Sequence, residues 1–209
     1  EVIIVDGGST DATVSIAKAH GVRVLTAPIG RASQMNAGAP VATGQLLLFL
    51  HADTLLPDGF ATEVDRTLAL PGVVAGAFRF QLPEQSFSYR LIARCVNWRS
   101  RWMKLPDGDQ ALFMPAAAFR QVGGYPMLPV MEDVALVKKL RRLGSVALTT
   151  THVITSDRRW RAVGTWRMTW LNLVCLVAYK LGISPARIAS WRQGQHRDTT
   201  AQPAHAAGP

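Results

Sequence analysis

Five short polar clusters in this chain have residue types and spacings that can do chemistry. Asp6-Gly7-Gly8-Ser9 follows the apolar run Val2–Val5. A carboxylate there can accept hydrogen bonds from a base or ribose, and the glycines let backbone come close to a ligand. It is neither a GxGxxG nor a P-loop, since the P-loop lysine is absent. It also fits an ordinary strand-to-helix turn. His51-Ala52-Asp53 closes the apolar run Gln45–Leu50. A divalent cation bound with a diphosphate needs few protein ligands, because phosphate oxygens and water fill the shell. Asp53 is therefore a metal-ligand candidate, with His51 available as a second, and the alternative is a polar strand end serving the turn before Pro57. The D-x-D-x-T nucleophile of some phosphatases does not fit, because His51 holds the nucleophile position and Thr54 comes one residue early.

Asp107-Gly108-Asp109-Gln110 is a polar turn that can contact an acceptor hydroxyl or be a hydrophilic loop. Glu132-Asp133 opens a helix, where carboxylates are common for dipole reasons alone. Asp133 precedes Leu136 by three residues and so shares its inward side. A carboxylate aimed inward is costly unless paired or used. Ser156-Asp157-Arg158-Arg159-Trp160 sets cations beside an aromatic: Arg159 can neutralise a leaving diphosphate and Trp160 can stack on a sugar, or the group is a surface salt-bridge cluster.

The elements that must position these residues alternate. Strands are expected over Val2–Val5, 22–26, 45–50, 73–80, 111–114, 146–148 and 152–155. Helices are expected from Ser9 or Thr10 as N-cap, over 32–41, along Phe60, Val64 and Leu68, along Leu91, Cys95, Trp98 and Trp102, from Glu132 to Gly144, over 166–181 and over 185–191. Such alternation implies an α/β fold with a mainly parallel, mixed sheet covered by helices on both faces. Ligands in such sheets sit at the carboxyl ends of strands, where Asp6 and Asp53 both fall.

The 209 residues fit one domain, expected over 1–197, with C-terminal helices over 162–192 and a disordered Ala/Pro/Gly-rich tail over 198–209. The chain opens inside a strand and without Met, so it reads as a fragment lacking an N-terminal strand and helix. Cys95 and Cys175 form no disulfide framework or metal knuckle, which favours a reducing cytoplasm. The net charge of +9 (23 basic minus 14 acidic) suits a phosphorylated substrate or anionic lipid. No nucleic-acid module is spelled out, so nucleic acid is not an expected partner. Trp166, Trp170, Leu173, Val174, Val177 and Leu181 give one helix an apolar face with cations nearby; it is too short to span a bilayer but can lie in the interface of the inner membrane face. Packing on the sheet or on a second subunit is the alternative.

Taken in order, VDGGSTD, HADT, GDQ and MED resemble the motifs of family 2 glycosyltransferases, in particular a bacterial subgroup associated with radical-SAM and selenoprotein-type domains. The resemblance runs from residue 1 to about Arg192. It implies a GT-A fold with a Rossmann-like nucleotide-binding half, a nucleotide-sugar donor, Mg2+ or Mn2+, and inverting transfer of one sugar (a hexosyltransferase-like activity) to a lipid or small-molecule acceptor. By that likeness the Asp6–Ser9 turn holds the nucleoside, with Gly30, Arg31 and Gln34 in a second nucleoside-contacting loop. Asp53 matches the last Asp of the DxD motif, and His51 replaces its first. Asp133 matches the general base, and Glu132, Asp109 and Gln110 lie on the acceptor side. Gly7 replaces a second Asp that contacts the base in many members. Ser156 stands at the Gln of the QxxRW motif of processive synthases, which argues against polymer synthesis. A nucleotidyltransferase-like enzyme and a non-catalytic nucleotide-sugar-binding protein are the competing readings.

Overall fold

The computed structural model describes residues 1–84 and 86–200, with side chains described to 192. The tail expected from 198 falls outside those side chains and, from 201, outside the described residues. Two compact units divide at Ser156 and Asp157.

The first unit is α/β. Strand β1 (Ile3–Asp6) pairs in parallel with β2 (Arg23–Thr26). Between them runs α1 (Thr13–Ala19), which starts later than expected. Neither Ser9 nor Thr10 caps it. Ser9 turns back to Asp6, while the Asp11 carboxylate accepts from the Thr13 N–H at 3.0 Å. Next comes α2 (Arg31–Gly38), extended by a short 3-10 turn at Ala39–Val41.

A second sheet has the order β3-β6-β5-β7-β4. Its strands are β3 (Leu46–Phe49), β4 (Thr54–Leu55), β5 (Val73–Gln81), β6 (Leu112–Pro115) and β7 (Ser145–Thr155). The mixed character is pronounced: β5 and β7 run parallel, while β3–β6, β5–β6 and β4–β7 are antiparallel. The expected strands 146–148 and 152–155 are one strand. The three threonines between them are β-branched and suit a pleated backbone, and the register shift near Ala77 absorbs the irregularity.

Helix α3 (Phe60–Leu68) follows β4 and buries Val64 and Thr67. The Glu63 carboxylate ties it to β7 by accepting from Thr150 Oγ1 at 2.8 Å. The core around β5 and β6 contains Phe78 and Phe113, edge-on with centroids 5.5 Å apart, with Val64, Ala111 and Val153 packed against them. Helix α4 (Phe87–Met103) buries Tyr89, Ile92 and Ser100, not the Leu91–Cys95–Trp98–Trp102 stripe, which faces out. Asn97 anchors α4 by bonding both the N–H and the carbonyl of Phe80 on β5. Helix α5 (Ala116–Gln121) and helix α6 (Glu132–Leu140) complete the unit. Leu136 and Leu140 are fully buried and hold α6 to the core.

The second unit begins with α7 (Arg158–Val163), a helix the sequence reading did not foresee, followed by α8 (Thr165–Lys180) and α9 (Pro185–Thr200). Trp160, Met168, Cys175, Leu176 and Ile188 are buried within it. Among the described residues no helix is long and apolar enough to cross a membrane.

Candidate active site

The Asp6 carboxylate sits buried at the end of β1 and accepts from the N–H groups of Gly8 and Ser9 and from Ser9 Oγ. These bonds, the Ser9 hydroxyl first and the Gly8 amide next, hold Asp6 below the usual carboxylate range. The turn is thus braced by its own carboxylate. Gln34 on α2 crosses over it: its Nε2 donates to the Val5 carbonyl at 2.8 Å, and a Cβ at Gly7 would lie only 3.1 Å from its side chain. A second Asp at position 7 would displace this amide.

Arg31, at the start of α2, pairs with Glu132 at the start of α6, Nε to Oε1 at 2.7 Å. Glu132 is buried, whereas Arg31 keeps contact with solvent. Beside it Asp133 is half-buried, and both of its oxygens accept backbone N–H groups, from Gly108 at 2.6 Å and from Val134 at 2.7 Å. A Cβ at Gly108 would lie 3.1 Å from both Asp133 Oδ2 and His51 Nε2. A side chain there would crowd both the imidazole and the carboxylate.

The loop around Gly108 is rigidly built. The fully buried Gln110 side chain accepts from Ser100 Oγ and the Asp107 N–H, and donates to the Phe78 carbonyl. Arg99 of α4 pairs with Asp107, and Thr155 Oγ1 donates to the Asp109 carbonyl at 3.0 Å. Asp107 and Asp109 are half-buried by surface area, yet both are pushed up to about 6. Desolvation is the main cause. Neighbouring carboxylates add to it, and Arg99 opposes it at both, with Arg31 also opposing it at Asp109. Oδ1 of Asp109 is buried and accepts no hydrogen bond. Arg99 and Ser100 escaped the sequence reading. The signal was present: both lie off the Leu91–Trp98–Trp102 stripe, on the side of α4 that faces the protein.

Asp53 is half-buried after β3, and its carbonyl accepts from the Ser156 N–H at 2.9 Å. No group of three or more His, Cys, Asp or Glu side chains gathers into a metal cage among the described residues. Asp53 and His51 thus fit a cation only where phosphate oxygens and water complete its shell. Gly30 is exposed and precedes α2 with φ of 136°. In the second unit Arg159 is exposed, but Trp160 is buried and its indole N–H reaches Thr169 Oγ1 at 3.3 Å. At 7% exposure its ring offers little open face for the expected stacking on a sugar.

Solved structures share this fold. The mannosyltransferase PcManGT from Pyrobaculum calidifontis, in complex with GDP-Man and Mn2+, aligns with a TM-score of 0.60 at 21% identity, covering 95% of this chain and 61% of that one. Glucosyl-3-phosphoglycerate synthase from Mycobacterium tuberculosis, in complex with Mn2+, UDP-Glc and phosphoglyceric acid, aligns with a TM-score of 0.58 at 18% identity, covering 87% and 68%. S. aureus TarS gives a TM-score of 0.54 at 13% identity, covering 95% and 62%. The chain thus spans about three-fifths to two-thirds of the length of these proteins. No curated protein matches it. The family model described as Glycosyl transferase family 2 matches residues 1–120, more than half of the chain and the stretch that carries the Asp6 turn, His51-Ala52-Asp53 and the Gly108 loop, and the chain belongs to that family.

Proposed function

We propose that this chain is the donor-binding and catalytic part of a glycosyltransferase that moves one sugar from a nucleoside-diphosphate sugar to an acceptor hydroxyl, with inversion. One observation carries the reading: a single run of contacts joins the separate motifs. Gln34 locks onto Val5 behind the Asp6 turn, Arg31 of the same helix pairs with Glu132, and the adjacent Asp133 accepts from Gly108, which His51 also flanks. The motif order also supports placing the chain in the bacterial subgroup associated with radical-SAM and selenoprotein-type domains.

In this reading the Asp6–Ser9 turn, Gly30, Arg31 and Gln34 border the nucleoside. Asp53 and His51 would hold a divalent cation, Mg2+ or Mn2+, which when bound offsets charge on the departing diphosphate. Asp133 is the general base. As the acceptor oxygen bonds to the anomeric carbon, the carbon–oxygen bond to the diphosphate breaks, the electron pair leaves with the diphosphate, and the hydroxyl proton passes to Asp133. Asp109 and Gln110 border the acceptor.

The apolar face that the periodicity predicts is exposed at Trp166, Trp170, Leu173 and Val177 of α8 and at Leu181 just beyond it, and half-buried at Val174. It supports a cytoplasmic protein peripheral to the inner membrane face.

The test is a panel of nucleotide sugars with and without Mn2+, scored by thermal stabilisation and by transfer or hydrolysis. A donor at 100 times its dissociation constant should stabilise by about 2.7 kcal/mol. Stabilisation without turnover would leave a binding protein, and pyrophosphate release from a nucleoside triphosphate would mark a nucleotidyltransferase. No stabilisation by any donor overturns the reading.

A further inference from the structure

The outward face of α4 has a composition that folding does not explain. At ~100° per residue, Phe87, Leu91, Trp98 and Trp102 fall within an arc of about 60°, and Arg94, Arg101 and Arg90 occupy the arc beside it. These side chains are open to solvent: Phe87 is 74% exposed, Leu91 39%, Trp98 65% and Trp102 72%. The two indoles lie together, with ring centroids 6.4 Å apart. The helix needs none of them for its seat on the sheet, because Tyr89, Ile92 and Ser100 are the buried side chains and Asn97 makes the anchoring bonds to β5.

Charge selects the occupant. Helix α4 has four arginines and no acid. One of them, Arg99, is spent on Asp107, which leaves three beside the apolar strip. Next to the strip, Arg90 and Arg94 line a cleft of about 150 Å3 together with Tyr89, Asn97, Glu84 and His152. An exposed indole pair prefers the boundary between water and hydrocarbon. Arginines at that boundary are attracted to anionic headgroups at about 1 kcal/mol each. A helix with one apolar strip, an adjoining cationic strip and a separate core-facing side is suited to lie flat in a lipid interface.

We propose that α4 is an in-plane docking helix for an anionic lipid surface. The proposal deepens the peripheral-membrane reading by adding a docking element in the first unit, and it does not depend on catalysis. The docking helix is also the one whose Arg99 and Ser100 hold Asp107 and Gln110, so attachment acts on the element that braces the acceptor-side loop.

The experiment is flotation of the purified chain with phosphatidylcholine–phosphatidylglycerol vesicles against pure phosphatidylcholine, at low and high salt. Binding is expected only to the anionic vesicles and should fall with salt. The Arg90→Gln/Arg94→Gln/Arg101→Gln variant should weaken it on the order of a hundredfold, and Trp98→Ser/Trp102→Ser should abolish it without changing the melting temperature. Because a variant can misfold, the exposed Cys95 on the same strip offers a readout in the unaltered sequence. An environment-sensitive fluorophore there should shift to the blue on adding anionic vesicles. Four outcomes overturn the proposal. They are absence of binding, equal binding to both vesicle types, loss of binding through Trp166→Ser/Trp170→Ser alone, which would move docking to α8, and a lipid-free dimer dissolved by Trp98→Ser/Trp102→Ser, which would assign the strip to a second copy. If α4 variants bind normally and α8 variants do not, the peripheral reading survives and this one fails.

Discussion

The backbone N–H of Gly108 donates to Asp133 Oδ2 at 2.6 Å, so the loop before β6 and the first turn of α6 share one carboxylate. The other oxygen accepts from the Val134 N–H. Two carboxylate oxygens offer about four acceptor sites, so Asp133 can still take a substrate proton. Asp133→Asn should lower turnover by about 10²–10⁴-fold, the usual contribution of positioned acid–base catalysis, while donor affinity holds. The substitution is not silent structurally. An amide offers one oxygen where two N–H groups point, so a loss of about 1 kcal/mol in stability is expected beside the kinetic one. If Asp133→Asn turns over normally and Asp109→Asn does not, the base is Asp109.

Asp53→Ala tests the donor side separately. Its carbonyl, not its carboxylate, bonds the Ser156 N–H, so removing the side chain leaves that link between the start of β4 and the end of β7 intact. Calorimetry should show that a nucleoside diphosphate loses its Mn2+-dependent binding, with the melting temperature of the free protein little changed. Unaltered binding in the presence of Mn2+ would remove Asp53 from the metal.

The Gly108 loop predicts a pH signature. Asp107 and Asp109 are pushed up to about 6 from an ordinary value of 3.8. Between those limits the folded protein holds protons that the unfolded chain has released. Their contribution to stability is therefore fully present below pH 4 and is lost as pH rises through 6. Asp109→Asn should flatten the stability profile over that window and raise stability at pH 7. Chemical denaturation at pH 4, 5, 6 and 7 measures it, and an unchanged slope would place the titration elsewhere.

Much of the site could be read from the chain. Asp6 ends β1 because the apolar run stops there, Asp53 falls in the turn between β3 and β4, and Phe60–Leu68 forms α3 because its period is helical. What the sequence conceals is direction and long-range pairing. The Leu91–Trp102 period showed a helix but not that its apolar strip faces water, because periodicity defines a stripe and not what covers it. The contacts of Glu132 and Asp133 depend on partners a hundred and one residues away in one case and twenty-five in the other, Arg31 and Gly108, which no local pattern encodes.

A second glycine is fixed by close approach. A Cβ at Gly76 on β5 would lie 2.3 Å from the Phe113 ring on β6. Phe113 is fully buried at the centre of the core, so it has nowhere to move. Gly76→Ala should cost about 1–3 kcal/mol by overpacking, read by urea denaturation. Pairing it with Phe113→Leu should recover part of that loss, and a purely additive double variant would mean the clash is relieved elsewhere.

Arg31 and Glu132 join the starts of α2 and α6, and their burial differs sharply. Glu132 is enclosed, whereas Arg31 retains solvent on one side. Arg31→Ala leaves an enclosed carboxylate without that partner, so destabilisation is expected. Breaking a buried pair costs about 3–5 kcal/mol, and the exposure of Arg31 should place this one below that range. Glu132→Gln should cost less, because a neutral amide is cheaper to bury and Arg31 can turn to water. Combined, Arg31→Ala/Glu132→Gln should be more stable than Arg31→Ala alone, and the cycle isolates the pair's coupling. Kinetics then separates bracing from recognition. If Arg31 also touches the donor, Arg31→Ala raises the donor KM more than Glu132→Gln does at matched stability. Equal effects on KM would make Arg31 a positioning residue whose only task is to hold α6, and with it Asp133, beside the Asp6 turn.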